Sequence, residues 1–497
     1  MKNAFLSMLL IFQTALFAQI MQTPLEKTNF TKITSYDVLS DFVMKLDQSS
    51  DLLSVETIGK SVEGRNIYAL KFSNAVFGED KSKIRVLFFA QQHGNEQSGK
   101  EGALLLAASL LKTENARLFD KIDLVIVPLV NPDGSEVNQR RNKNNMDLNR
   151  NHLILTEPET QAIHQLFDQY LFEVTMDVHE YYPWDENWIK HGYRKNSEIT
   201  VGTTTNINIS PKIRDISNKK ILPYMLKYLS DRQFSSFEYC PGGPPDVNYI
   251  RHSTYDINDG RQSLGIQNTL SFIQEGMNGE DNFADNLGRR AKGQMTGMMA
   301  LLEYIFQHKN ELKKAVISDR KKLEKSAGKP VAIQLEHVKN GDKLHLPVYA
   351  YRSGNDSVIT VNDYHPVVKP ITVVNKPKGY LIPKNATDLV YWAERHNLKL
   401  SSYQKSGSEK ICQYFVSKVD SIDFEGDIVV DPVVEKKVVT DKIDPEDFFY
   451  LPTSHIKGNM VVTALEPKSE LGLVTYPQFG HYLKSGEYFR VLCVEKE

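Results

Sequence analysis

Two stretches of this chain limit its fold more than anything else in it. Ile84–Ala90 is apolar except for Arg85, and Ile122–Val130 reads as a second buried run. A strand apolar at nearly every position has no face to offer water, so both of its faces must be covered. Gly99–Leu111 between them reads as an apolar helix, and Phe172–Val178 as a third strand. Thr156-x-x-Glu159, with Pro158 in the first turn, predicts a capping box opening a helix to about Leu171. Strand, helix, strand, helix, strand is the order of an α/β fold, a mixed, mainly parallel sheet with helices on both faces.

Around this centre the texture varies. Ser35–Ser50 predicts a helix, and Ser54–Gly59 with Asn66–Phe72 a hairpin turning at Ser61–Arg65. Residues 181–270, rich in Gly, Pro, Asn and Asp, predict long loops, followed by a short strand Leu270–Ile273 and a helix from Phe283 to about Lys325. Past Gly328-Lys329-Pro330 the chain turns to short alternating strands. This divides it into a catalytic-type segment, 25–325, and a mainly β accessory segment, 331–497.

Charge and composition exclude several classes. Lys and Arg number 60 against 62 Asp and Glu, a net charge of −2, so no basic surface is available for nucleic acid. At 10% aromatic residues the chain has too much surface to bury to remain disordered. Three cysteines, Cys240, Cys412 and Cys493, make no disulfide framework. Lys2 ahead of the apolar run Ala4–Ala18, with small residues Ala15 and Ala18, predicts a signal peptide over 1–18 and an exported protein, periplasmic or extracellular. No later run reaches the ~18 apolar residues of a membrane span.

The chemistry is carried by residues at strand ends. His93 and Glu96 follow the strand Ile84–Ala90, and an imidazole and a carboxylate at that spacing can turn onto one metal ion. The same spacing recurs at His308 and Glu311, inside a charged helix where both read as solvated. Asp177-Val178-His179 ends another apolar strand and offers a third ligand, and a catalytic zinc takes three protein ligands plus one open position. Asn131-Pro132-Asp133-Gly134 is a turn, followed by the basic stretch Arg140–Asn151, where an Arg fork and an Asn amide suit a carboxylate. Glu275, at the end of Leu270–Ile273, is placed to act as a general base.

Taken together and in this order, these pieces resemble the M14 family of zinc metallocarboxypeptidases, from about Ile58 to about Ala300. The resemblance implies that His93, Glu96 and His179 hold one Zn²⁺ and that Asp147 orients a ligand histidine. It implies that Asn149 and Arg150 bind the substrate's C-terminal carboxylate. It implies too that Arg140 stabilises the oxyanion, with Arg141 the alternative if the register shifts by one, and that Glu275 moves the proton. The substrate would be a peptide with a free C-terminal carboxylate. That family also closes a tyrosine over its substrate near a G-G-x-x-D segment, which Gly242–Asp246 matches. Glu238 occupies the tyrosine's offset, leaving Tyr239 and Tyr255 as candidates, while Pro245 brings no carboxylate and Arg261 brings a positive charge. Two other readings share these residues: a zinc amidase of cell-wall peptides or N-acyl amino acids, and a peptide-binding protein whose catalysis has lapsed.

Overall fold

The computed structural model describes residues 21–279, 285–404, 409–424, 427–440 and 443–496. The expected signal peptide and Phe283 lie outside them.

The strands in chain order are β1 (Leu53–Lys60), β2 (Asn66–Phe72), β3 (Ile84–Ala90), β4 (Ile122–Val127), β5 (Val174–Tyr181), β6 (Tyr193–Lys195), β7 (Ile199–Thr203), β8 (Ser236–Glu238), β9 (Ile250–Arg251) and β10 (Leu270–Met277). All but β6 and β9 form one eight-stranded mixed sheet, ordered β1-β2-β4-β3-β5-β10-β7-β8. Its centre, β4-β3-β5-β10, is parallel.

The apolar runs have a direct cause. Ile84, Val86, Phe88 and Ala90 of β3 pack into the core on one face with helix Gln97–Leu110, while Leu87 and Phe89 face helix Pro158–Tyr170 on the other. The charges that interrupt the runs lie toward the strands' amino ends and are paired. Arg85 bonds Glu173 at 2.7 Å, and Asp123 lies 3.3 Å from Lys83.

Three expectations need correction. The capping box does not form: the helix starts after Glu157, because Asn151 Nδ2 donates to the Thr156 hydroxyl at 2.8 Å and Asn151 Oδ1 takes the Glu157 N–H at 3.0 Å. Residues 181–270 are not only loops, since Pro211–Ile216 and Leu222–Ser230 are helical and bury Ile213, Ile216, Met225 and Leu229. The strand expected over Leu270–Ile273 runs on to Met277, because β5 on one side and β7 on the other hold its polar half in register.

Helix Leu287–Glu324 covers the sheet and leads into a mainly β region with a six-stranded antiparallel sheet. This region shares the core of the first. One apolar cluster includes Leu39, Phe88 and Met298 together with Trp392, Met460 and Cys493. Strand Leu344–Ala350 pairs with β6, and Tyr364–His365 with β9. No described helix is long and apolar enough to cross a membrane.

Candidate metal and substrate site

The site is built at the carboxyl ends of β3, β5 and β10. Connections from β3 and β5 leave toward opposite sides of the sheet, and such a switch point opens a crevice. Past Ala90 the chain turns through Gln91, whose φ of +57° is strained for a residue with a side chain. Gln91 is held there by its side-chain amide, which donates to Gly94 O at 2.8 Å and to Ser135 Oγ at 3.0 Å. Gly94 then passes so close to the Asn131–Gly134 turn that a Cβ would lie 2.1 Å from the Gly134 carbonyl carbon. Only glycine permits this approach, and it sets His93 beside Arg140, whose carbonyl accepts the Gly94 N–H at 3.2 Å.

His93, Glu96 and His179 are brought together and are buried. Their ligand atoms all lie within 4.8 Å of one another. His93 Nδ1 is 2.6 Å from Glu96 Oε1, His179 Nδ1 is 2.9 Å from Glu96 Oε2, and the two Nδ1 atoms are 3.2 Å apart. The far side of each ring faces a carboxylate: His93 Nε2 is 3.0 Å from Asp147 Oδ1, and His179 Nε2 is 2.9 Å from Asp177 Oδ1. Assigning each ring proton to the nitrogen beside its carboxylate leaves both Nδ1 atoms as bare lone pairs. Two lone pairs and a carboxylate then converge on one point, an arrangement that attracts a cation. The donor set, two imidazoles and a carboxylate, is one that zinc accepts, so these residues fit the ion.

Asp147 braces more than His93. Its Oδ1 also accepts the Asn149 N–H at 3.0 Å, and its Oδ2 accepts from Arg140 Nε at 3.0 Å and lies 2.9 Å from Arg140 Nη2. Burial would raise the Asp147 carboxyl, but His93, Arg140 and Arg150 outweigh it and hold it far below the usual range. Arg140 keeps 45% of its side chain exposed and brings Nη1 to 3.2 Å from His93 Nδ1. Asn149 commits its carbonyl oxygen to the Gly260 N–H at 2.8 Å, so its amide NH₂ is the group left for a ligand. Arg150 lies on the same cavity wall.

Glu275 stands directly beside His179 in the β5–β10 register, so the two side chains leave the sheet on one face. Burial, outweighing the pull of His179, pushes its carboxyl up to about 7. His93, Arg140, Asn149, Arg150, Tyr239 and Glu275 all line one cavity of about 900 Å³.

Two expected residues do not belong to it. Tyr255 is buried against Ala332 and Leu335, donates its hydroxyl to Leu335 O at 2.9 Å and stacks on His337, so it serves the contact with the C-terminal region. Arg141 turns away, donating to Asn145 O at 2.9 Å. Tyr239 does line the cavity, its ring 5.7 Å from the Arg261 guanidinium carbon.

Sequence reasoning passed over Asp177 and Gln92. The Asp-x-His spacing on a strand carried the signal for Asp177, since residues two apart share a face. Gln92, which donates to Asp177 Oδ2 at 2.8 Å and faces His152 Nε2 through its carbonyl at 2.7 Å, carries no comparable signal.

This part of the chain is similar to known carboxypeptidases. The Peptidase M14 zinc carboxypeptidase family model matches residues 39–198, which include all three ligands, Arg140, Asn149 and Arg150. The chain is 24% identical over 454 residues to "Carboxypeptidase 2" of Trichophyton rubrum, covering 88% of this chain and 82% of that one. It is 27% identical over 236 residues to "Carboxypeptidase D" of Mus musculus, covering 40% of this chain and 17% of that one. A solved metallo-carboxypeptidase from Pseudomonas aeruginosa aligns at TM-score 0.43 and 21% identity, over 57% of this chain and 71% of that one, a likeness too partial to argue from. Over residues 39–198, the segment that carries His93, Glu96 and His179, the chain matches the M14 zinc carboxypeptidase family.

Proposed function

We infer that the protein is a zinc-dependent metallocarboxypeptidase that removes the C-terminal residue of a peptide. The observation that carries this reading is the convergence of His93, Glu96 and His179 at a cavity also lined by a buried carboxylic acid, Glu275, and by Asn149 and Arg150, a pair suited to a carboxylate. When bound there, zinc supplies a Lewis acid that makes water nucleophilic near neutral pH. The Asn149 amide and the Arg150 guanidinium take the two oxygens of the terminal carboxylate, which fixes the scissile bond relative to the ligands. Arg140, aimed by Asp147, offers its N–H groups to the carbonyl oxygen as negative charge develops on it. Glu275 takes the proton from the attacking water and returns it to the leaving amine. Its buried position holds the carboxyl near neutrality, and a cation among the neighbouring ligands would draw it down into the range where it accepts a proton.

Residues 25–325 would form the catalytic segment and 331–497 an accessory one. An exported location is part of the same reading, on the strength of the apolar segment Ala4–Ala18.

Peptides with free and amidated C-termini test the reading. Losing a charge-assisted pair of hydrogen bonds costs about 1.5–3 kcal/mol, so kcat/KM should fall roughly 10–100-fold on amidation. Equal turnover of both forms, or release of internal fragments, would refute an exopeptidase. Preferential hydrolysis of N-acyl amino acids or cell-wall peptides would point to an amidase on this scaffold.

A further inference from the structure

The cavity that takes the terminal carboxylate is also lined by two cationic side chains that the reaction does not use, Arg261, which is buried, and Lys195, which is half-buried. Six carboxylates line it, and each has a task. Glu96 belongs to the metal set and Glu275 to proton transfer. Glu180 is 2.6 Å from Arg290 Nη2. Asp185 caps helix Glu186–Lys190 through the Asn187 N–H, Asp256 lies beside Arg150, and Asp259 caps helix Gly260–Gly265.

Two of the lining cations are in a different position. Lys195 has no carboxylate partner among the described residues: its Nζ donates to Cys240 O at 2.7 Å and lies 5.2 Å from the centre of the Trp188 ring. Arg261 is fully buried. Its Nη1 donates to Ser253 Oγ at 2.6 Å and its Nη2 pairs with Asp259 at 3.1 Å, yet Nε–H has no partner. Space for this guanidinium is cut into β7, because a Cβ on Gly202 would lie 2.9 Å from Arg261 Nη1 and 2.7 Å from Ile273 Cγ2. A strand that gives up a side chain to admit a buried arginine is making room for a charge, and that arginine is also steadied by the face of Tyr239 at 5.7 Å.

We propose that the cavity selects substrates whose C-terminal residue is acidic, with Lys195 and Arg261 receiving the side-chain carboxylate of glutamate or aspartate while Asn149 and Arg150 hold the α-carboxylate. This rests on the carboxypeptidase reading and names its substrate class. Burial without a counter-ion draws the Lys195 ammonium down to about 8, and an arriving carboxylate would relieve that cost. A lysine or arginine side chain would instead meet two cations, and an aromatic one would leave the Lys195 ammonium without a carboxylate partner.

Two measurements on the full-length, metal-loaded chain test this. The first is kcat/KM on peptides that differ only in a terminal Glu, Asp, Phe or Lys. The second is calorimetric binding of N-acetylglutamate against N-acetylphenylalanine and N-acetyllysine. The Glu-ending peptide should exceed the Phe- and Lys-ending ones by at least about tenfold, and N-acetylglutamate should bind tightest by a similar factor. Lys195→Met should cut the Glu-to-Phe ratio about tenfold. Arg261→Gln should do the same, and if that variant does not fold, Lys195→Met and the wild-type panel still decide. A preference for Phe or Lys, or an unchanged ratio in Lys195→Met, overturns the proposal while leaving the peptidase reading intact. Tightest binding of N-acetylglutamate without cleavage of any peptide would uphold the acidic pocket and refute the peptidase.

Discussion

Replacing Glu275 by glutamine is expected to lower kcat by roughly 10²–10⁴-fold with KM changed only a few-fold. Glutamine keeps the shape and one acceptor of the carboxylate, so the β5–β10 register and the neighbouring His179 have no reason to move. It loses the titratable carboxylate, and with it the ability to take a proton from water and return it to the leaving amine. The buried position of Glu275 makes this substitution mild for folding: a carboxyl pushed up to about 7 by burial gives up some stability as pH rises past its unfolded value near 4.5, and the amide carries no such penalty. Melting of Glu275→Gln at pH 8 should therefore match or exceed that of the parent. Turnover within tenfold of the parent, with metal retained, would remove Glu275 from the chemistry.

A chain cut after Ser326 is expected to yield no soluble, cooperatively folded protein. The C-terminal region is built into the first one. Trp392 Nε1 donates to Leu153 O at 2.9 Å, Lys457 pairs with Asp168 at 2.6 Å, and Asn459 donates to Asn208 O at 3.0 Å. Asn208 itself exchanges two hydrogen bonds of 2.8 Å with the backbone of Ala332. Truncation would strip these partners from groups that stay buried or become exposed, at about 1–3 kcal/mol for each unsatisfied one. It would also open the apolar cluster that Trp392, Met460 and Cys493 complete. Losses of that sum are comparable to the 5–15 kcal/mol by which a domain is stable. Expression of residues 21–326 with a sharp thermal transition and peptidase activity would show instead that the first region stands alone.

How far the sequence carried depends on the kind of signal. β3 was legible to the residue because a strand buried on both faces is apolar at every position but Arg85 and bounded by polar residues, Lys83 on one side and Gln91-Gln92 on the other. The three candidate ligands stood out because their chemistry admits few substitutes and each follows or ends such a strand, and the structure brings their side chains together. The latter half of β10 was not, since Gln274, Glu275 and Gly276 look like the end of a strand. Buried Gln274 is accommodated only because Gln294, from the long helix, accepts its amide at 2.7 Å. Tyr255 was misplaced for the opposite reason. Its sequence neighbourhood suggested the cavity, but a partner far along the chain, Leu335, takes its hydroxyl. The shared core of the two regions was equally hidden, because contacts such as Trp392 to Leu153 join positions with no periodic relation.

The three-ligand centre underlies everything else, and anomalous X-ray diffraction recorded on both sides of the zinc absorption edge tests it most directly. A single peak within about 2.0–2.2 Å of His93 Nδ1, His179 Nδ1 and a Glu96 oxygen is expected, and it should vanish in His179→Ala. Zinc bound elsewhere, or no peak at these three side chains in crystals grown with zinc, would contradict it.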